Sequence, residues 1–293
     1  MDEQDLSLYE PLEHPAPETP FAHDGALDRQ PPRIGAPIAT REPTRRCHGA
    51  CVVTDAASYT SVAEDLDPSA AVDLINRYLE ALFRPVFDNG GFVSDVKGDG
   101  LLAVWATSFP GPELRRRVCR ALLQMAESAD SFNRNSPTAR LATRIGACFG
   151  PIALATVGAL THFEYRAVGD TVNTSSRLEQ LNKRFGTSVL VSGSLADGLG
   201  EFLFRDLGAF RLRGKRASVR VYELLGLRDE ASEESRRFCR DYSAALQALQ
   251  GGRLREARAR FRDLCAEHPC DGASRLRLRA CDTLLARQSA AAA

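Results

Sequence analysis

The sequence predicts an α+β fold with a ferredoxin-like, split βαβ sheet, followed by a small α-helical segment. Two observations support this prediction. Within residues 47–226, apolar runs typical of strands and stretches of helical periodicity follow one another in the order strand–helix–strand–strand–helix–strand, which is typical of the split βαβ arrangement. Beyond residue 226 the apolar pattern is helical only, so we expect a separate helical tail (residues 227–293).

The first strand and the first helix are marked by composition and by capping residues. Residues 50–54 form a short apolar run that ends at Asp55, which is typical of a buried strand. Asp67 and Pro68 then supply an N-cap and a first-turn proline. Apolar residues at helical spacing continue to a glycine pair that ends the helix, and we expect Pro85 to kink its last turn.

A hairpin and a second group of helices and strands complete the predicted sheet. Two apolar runs flank the turn at residues 97–100, which predicts the hairpin. We expect Asp170 to cap a later helix and residues 115–117, three arginines, to form a solvated face. The predicted elements are strands at 92–96 and 101–105, a helix at 113–132, strands at 142–148, 152–157 and 164–168, a helix at 172–185 and a closing strand near 219–225.

The helical tail contains two apolar stripes separated by a glycine pair. The spacing of Ala257, Phe261 and Pro269 is similar to that of a tetratricopeptide repeat, and a plain helical hairpin fits equally well. One such unit cannot bury its own apolar face. We therefore expect the tail to dock on the main domain or on a protein partner.

Composition and charge exclude several classes of protein. The chain has 293 residues, enough for one or two domains, with 38 basic and 38 acidic side chains and a formal net charge of zero. Nonspecific nucleic-acid binding needs a basic surplus, so we expect no nucleic-acid partner. The longest uncharged apolar run, residues 146–160, is too short to span a bilayer, and the acidic N-terminus is not typical of a secretory signal. We expect no membrane insertion and a cytoplasmic location.

The N-terminal segment and the cysteines give weaker information. Residues 1–46 are rich in proline and poor in large apolar side chains, which predicts disorder.

The eight cysteines form no CxxC pair, and a chain of this size does not need disulfides, so we expect reduced thiols. Cys47 and Cys51 flank His48 in the manner of half a metal site, but the second half is missing at zinc spacing.

Two aspartates are placed to bind a metal ion. Asp55 ends the first strand and Asp99 lies in the hairpin turn, and these two elements are neighbours in a split βαβ sheet. A partly buried pair of carboxylates is costly unless a cation neutralises it, and their hard oxygens suit Mg²⁺ or Mn²⁺. The alternative is that Asp55 is a strand-end cap and Asp99 an ordinary turn residue.

Two further groups could bind an anion. The small polar segment around Ser58, Tyr59 and Thr60 precedes a helical stretch, where backbone N–H groups can cradle a phosphate. Asn173 and Arg177 lie four residues apart and therefore share one helix face, as suits charge developing on a phosphate. Such a pair also commonly decorates a solvated face.

Together these segments resemble the catalytic domain of the class III adenylate/guanylate cyclases. The resemblance covers about residues 47–226, in the order and at the spacing of that family. It implies the palm-like sheet of that family, a head-to-tail homodimer with active sites at the subunit interface, and cyclisation of a nucleoside triphosphate with release of pyrophosphate. The stretches that carry it are T-D-A-A-S-Y-T-S, S-D-V-K-G-D-G-L-L-A-V-W, R-I-G-A-C-F-G-P, V-G-D-T-V-N-T-S-S-R-L-E and R-L-R-G-K-R.

The resemblance also implies a role for each candidate residue. Asp55 and Asp99 would hold two Mg²⁺ or Mn²⁺ ions per active site. Asn173 would orient the ribose and Arg177 would stabilise charge at the α-phosphate, both from the other subunit. Lys215, or its neighbour Arg213, would bind the triphosphate.

The residues that would read the purine depart from the family pattern. Adenylate cyclases commonly carry Lys and then Asp or Thr at these positions, where this chain has Asp95 and Arg166. Asp95 could accept from adenine N6 while Arg166 donates to N1, or the pair could read guanine, since guanylate cyclases carry an acidic residue at the first position. In a third interpretation the two residues pair with each other across the interface and select no base. We expect an adenylate cyclase acting on ATP, with a guanylate cyclase acting on GTP or a nucleotide-binding module without turnover as alternatives.

Overall fold

The computed structural model describes residues 43–108, 111–136, 140–159, 162–215 and 217–291. The segment predicted to be disordered lies outside the described residues except for its last four, and the first strand already begins at Arg45. The elements are β1 (Arg45–Ala57), α1 (Tyr59–Glu64), α2 (Pro68–Asp88), β2 (Phe92–Lys97), β3 (Gly100–Thr107), α3 (Pro112–Asn135), β4 (Ala142–Ala159), β5 (His162–Val168), α4 (Asp170–Phe185), β6 (Val189–Ser192), α5 (Gly193–Ala196), β7 (Phe202–Phe210), β8 (Val219–Leu227), α6 (Glu233–Gln250), α7 (Leu254–Glu267) and α8 (Gly272–Ala291).

The predicted α+β, split βαβ fold is confirmed. The strands form one eight-stranded sheet in the order β2-β3-β1-β4-β6-β8-β7, with β5 also paired to β4. The unit β2-β3-β1-β4 is antiparallel throughout, which is the ferredoxin-like core. β6, β8 and β7 extend it beyond β4. The first helix also begins as predicted, because Asp67 accepts a 2.9 Å hydrogen bond from the Ser69 N–H ahead of Pro68.

Two strand predictions were wrong in their bounds. The predicted strands at 142–148 and 152–157 are one strand, β4, which runs through Pro151. β4 pairs with β6 at residues 145–147 and with β5 from residue 153, so Pro151 lies between these pairings, where a missing N–H is tolerated. β1 likewise continues past Asp55 to Ala57, so Asp55 lies within the strand rather than at its end.

Each face of the sheet is covered by helices. α2 and α3 cover one face, where Tyr78 and Met125 join Trp105 of β3 in a buried core. α4 and the helical tail cover the other face, where Phe185 and Phe210 share a second core with the tail. Alternation along the strands supplies both cores, since successive side chains point to opposite faces. In the described part of the chain, no helix is long and apolar enough to cross a membrane.

The helical tail docks on its own domain. Phe261 and Tyr242 are 0% and 1% exposed and pack in one cluster with α4 and β7. Of the two predicted docking modes, the main domain is therefore the one observed. The tail is three helices long, and nothing found confirms the tetratricopeptide-like interpretation.

The arginines at 115–117 do not form a simple solvated face, contrary to prediction. Arg115 donates to the Asp197 carbonyl at the end of α5 and to the Ser194 carbonyl. Arg116 forms a 2.6 Å ion pair with Glu201. These contacts tie α3 to the segment between β6 and β7.

Candidate active site

The hairpin turn brings Asp99 close to Asp55. Gly100 packs so tightly on β1 that a Cβ placed there would lie 2.2 Å from the Thr54 carbonyl oxygen. The Thr54 hydroxyl accepts a 3.1 Å hydrogen bond from the Leu101 N–H, which fixes the turn against the strand. Burial raises the pKa of Asp99, and the negative charge of Asp55 raises it further. The structure thus brings the two predicted metal ligands together.

Arg144 and Glu179 complete this cluster, and sequence reasoning missed both. Arg144 lies opposite Asp55 in the β1–β4 register, and its guanidinium pairs with the Asp55 carboxylate. The same guanidinium reaches Glu179, with Nε 3.4 Å from Oε1. Burial and the charge of Asp55 raise the pKa of Glu179 to about 7. We call Asp55, Asp99, Glu179 and Arg144 the carboxylate cluster. It contains three carboxyl groups and one guanidinium.

Arg144 and Glu179 both lie within sequence stretches that resemble the family. Arg144 opens the R-I-G-A-C-F-G-P stretch and Glu179 closes V-G-D-T-V-N-T-S-S-R-L-E. Neither has a spacing that distinguishes it within its own element. The sheet register identifies Arg144, and the packing of α4 on β4 identifies Glu179.

The turn between β1 and α1 presents backbone rather than side chains. Ser58 adopts φ 74°, a left-handed conformation that is uncommon for a residue other than glycine, and reverses the chain after Ala57. The Tyr59 ring packs against the core under α2, and Thr60 is exposed. The first N–H groups of a helix have no partner within it. An anion bound at Ser58, Tyr59 and Thr60, as predicted, would meet these N–H groups rather than side chains.

The first two turns of α4 form a second, cationic cluster. Asp170 does not cap the helix, contrary to prediction: Gly169 occupies the N-cap position, and the Asp170 carboxylate pairs with Lys215 Nζ at 2.7 Å. Arg177 lies against the same turn, since a Cβ placed on Gly214 would be 3.3 Å from its Nη2. Asn173 is exposed one turn before Arg177. We call Asn173, Arg177 and Lys215 the cationic cluster.

Within one chain, the carboxylate cluster and the cationic cluster lie on different sides of α4. Glu179 belongs to the carboxylate cluster and follows Arg177 by two residues, which is about 200° around the helix. Asn173 and Arg177 therefore project from the opposite side of α4. The two clusters thus lie on different sides of α4 within one chain.

The predicted purine-reading residues pair within one chain. Arg166 Nη2 lies 3.0 Å from Asp95 Oδ1 and 2.5 Å from Glu164 Oε2. Beside them, the Ser94 hydroxyl accepts a 3.2 Å hydrogen bond from the Ala167 N–H, which draws β5 towards β2. The two residues therefore do pair with each other, as in the third interpretation, but within one chain rather than across the interface. Strand placement brings them together before any second chain is present.

The described residues contain no group of three or more His, Cys, Asp or Glu side chains arranged to hold a metal ion by themselves. A cation at Asp55 and Asp99 would need further oxygen ligands, as Mg²⁺ usually takes from water and substrate phosphates. A cavity of about 450 Å³ lies elsewhere, between the end of α3 and the start of β4, and its lining contains no predicted site residue. Its charged side chains are Asp130, Arg134 and Arg140, and none of the residues of the carboxylate cluster lines it.

Comparison with known proteins places this arrangement in a family. The sequence model described as "Adenylate and Guanylate cyclase catalytic domain" matches residues 45–226. The chain belongs to this family. The matched range contains the hairpin and the residues of both clusters, and it ends where the helical tail begins.

Individual relatives are similar over the same region. Adenylate cyclase 1 of Rhizobium meliloti is 32% identical over 178 residues, which are 59% of this chain and 27% of that protein. The chain thus spans about a quarter of that relative's length. Among solved structures, the adenylyl cyclase CyaB from P. aeruginosa has a TM-score of 0.56 at 23% identity and covers 65% of this chain and 100% of that chain. The guanylyl cyclase Cya2 has a TM-score of 0.56 at 19% identity and covers 64% and 96%.

Proposed function

We propose that the protein is an adenylate cyclase that converts ATP into 3′,5′-cyclic AMP and pyrophosphate as a head-to-tail homodimer. The observation that carries the proposal is the separation of the carboxylate cluster from the cationic cluster on opposite sides of α4. Each cluster has half of the groups that the reaction needs. Two copies arranged head to tail would form two complete sites, each with one cluster from either chain.

Divalent cations fit the carboxylate cluster. Three carboxylates, Asp55, Asp99 and Glu179, lie around the single guanidinium of Arg144. Burial first, and the charge of Asp55 second, raises the pKa values of Asp99 and Glu179, and a bound cation would offset both effects. Asp55 and Asp99 would hold Mg²⁺ or Mn²⁺, two ions per site. Bound there, the cations would lower the pKa of the ribose 3′-hydroxyl and neutralise the triphosphate.

The other side chains would position the substrate and stabilise charge. Asn173 would hold the ribose so that the 3′-oxygen faces the α-phosphorus, in line with the pyrophosphate leaving group. Arg177 would neutralise the charge that develops on the α-phosphate oxygens. Lys215, with Arg213 beside it, and the N–H groups that start α1 would hold the β- and γ-phosphates.

Asp95 and Arg166 are proposed to read the purine as a pair. Their ion pair presents an acceptor and a donor side by side, which matches the N6 amino group and N1 of adenine. Guanine offers N1–H and O6 to the same pair, so GTP is the second candidate substrate. We favour ATP because the relative from R. meliloti is named an adenylate cyclase. The pair's intrachain geometry means that an incoming base must compete with Glu164 for the Arg166 guanidinium.

A cytoplasmic location follows from the same proposal. ATP and Mg²⁺ are supplied inside the cell, and all eight cysteines are free thiols, as suits a reducing compartment.

A non-catalytic nucleotide-binding module is disfavoured because both clusters are intact.

Product analysis tests the proposal directly. The purified full chain is incubated with ATP or GTP, with Mg²⁺ and then Mn²⁺, and the products are identified by mass spectrometry. We expect cyclic AMP from ATP, and loss of that product in Asp99→Ala with the dimer retained. Cyclic GMP alone would move Asp95 and Arg166 to guanine recognition, and no product from a folded dimer would contradict the proposed activity.

A further inference from the structure

The helical tail packs against α4, the helix that carries Asn173 and Arg177. The buried face of α4 contributes Leu178, Leu181 and Phe185 to the core on this side of the sheet. The tail supplies a large share of the same core, through Tyr242, Leu246, Leu249, Phe261, Leu264 and Ala273. The tail is therefore a packing partner of the helix that is proposed to act in catalysis.

The tightest contact between them is made by backbone. Gly272 begins α8 and lies directly on the C-terminal end of α4. A Cβ placed on Gly272 would be 2.3 Å from the carbonyl oxygen of Phe185 and 3.2 Å from the N atom of Gly186. No real Cβ approaches backbone atoms so closely, so any side chain at Gly272 must push α8 and α4 apart.

The residue before Gly272 anchors α8 to the sheet. Asp271 Oδ1 lies 2.9 Å from Arg205 Nη1, and Asp271 Oδ2 accepts a 2.9 Å hydrogen bond from the Ser274 N–H. Arg205 is 2% exposed and donates a 2.7 Å hydrogen bond to Glu223 on β8. The first turn of α8 is thus fixed between β7 and β8 on one side and the end of α4 on the other.

From this geometry we propose that Asp271 and Gly272 are positioning residues for the cyclisation reaction, acting through α4 on Asn173 and Arg177. Phe185 follows Arg177 by eight residues, about 12 Å along a continuous helix, so a shift at one end tilts the other. The inference rests on the proposed function. It goes beyond that function because the family match ends at residue 226 and contains none of the tail.

The test substitutes Gly272→Ala in the full chain, with Gly200→Ala as a matched control. The control adds the same methyl group in open space, since nothing lies within 4 Å of a Cβ at Gly200. We expect kcat for MgATP to fall about tenfold or more in Gly272→Ala, with KM within about twofold, because a displaced catalytic group costs rate more than binding. The Gly200→Ala control should retain wild-type kcat and KM.

Hydrogen exchange gives a readout that does not depend on activity. We expect amides in residues 178–186 of Gly272→Ala to exchange faster, while those of α2 and α3 keep wild-type protection. Asp271→Asn, which keeps an oxygen for the Ser274 N–H but loses the charge opposite Arg205, should give a smaller change of the same kind. It replaces Gly272→Ala if that variant does not fold.

The outcomes separate this inference from the proposed function. Wild-type kcat in Gly272→Ala, or a loss of kcat accompanied by equally faster exchange in α2 and α3, would overturn the positioning role. A wild-type chain that forms no cyclic nucleotide would contradict the proposed function alone. In that case faster exchange confined to α4 would still support coupling between α8 and α4, and unchanged exchange would overturn it.

Discussion

Two inactive variants should restore each other's activity if each active site draws on two chains. Asp99→Ala removes a carboxylate from one cluster, and Asn173→Ala removes the amide from the other. Each homodimer then lacks the same group at both of its sites, so both variants should be nearly inactive alone. The clusters lie on opposite sides of α4, so a mixed dimer contains one site with both changes and one site with neither.

The expected magnitude follows from counting sites. Random exchange of equal amounts of the two variants makes about half of the dimers mixed, and half of the sites in those dimers are intact. The mixture should therefore recover about a quarter of wild-type activity. Activity is measured as cyclic AMP formed from MgATP at a fixed total protein concentration, after time for subunit exchange.

The matched control combines Asp55→Ala with Asp99→Ala. Both changes fall in the carboxylate cluster, so the mixed dimer has no intact site and the mixture should stay inactive. Recovery in this control, or no recovery with Asn173→Ala in a mixture shown to exchange subunits, would refute the assignment of the clusters to different chains.

Three further predictions concern charge. Ionisation of Glu179 is disfavoured in the fold, because burial and the charge of Asp55 raise its pKa from the ordinary 4.5 to about 7, so stability should fall as pH rises from about 5 to 7.5. Thermal unfolding without divalent cation should show this slope in wild type and lose it in Glu179→Gln. Arg205→Ala leaves Glu223 and Asp271 buried without their cation and should cost about 3–5 kcal/mol in denaturant unfolding; a loss below about 1 kcal/mol would contradict that reasoning. Arg166→Ala should raise the KM for ATP about tenfold, with a smaller effect on kcat, because the donor to the base is lost; an unchanged KM would remove Arg166 from purine recognition.

Much of the fold was predictable because its signals are local. The N-cap at Asp67, the tight turn at Gly98 and the alternation of the strands each depend on a few neighbouring residues. The predicted break in β4 was wrong because the tolerance of Pro151 depends on where β5 and β6 pair. Sequence spacing alone does not contain that information.

The site residues that belong to a local sequence motif were predictable. The residues whose role depends on contacts between separate strands were not. Asp55 and Asp99 were identified from their placement, and the structure brings them together. Arg144 was missed because a single arginine in a strand is unremarkable until the register sets it opposite Asp55. The intrachain pairing of Asp95 with Arg166 likewise follows from the approach of β5 to β2, which no local pattern encodes.

The distribution of charge gives a physical reason for the proposed head-to-tail assembly. The chain has no net charge, so long-range attraction or repulsion between copies is weak. Locally, however, the carboxylate cluster has three acids around one guanidinium, whereas Lys215 pairs with Asp170 and Arg177 lies beside Gly214. A parallel, cluster-to-like-cluster arrangement would place carboxylates against carboxylates, which costs free energy. The proposed head-to-tail arrangement would instead set each carboxylate cluster opposite a cationic cluster, and a triphosphate with its cations would fill the space between them.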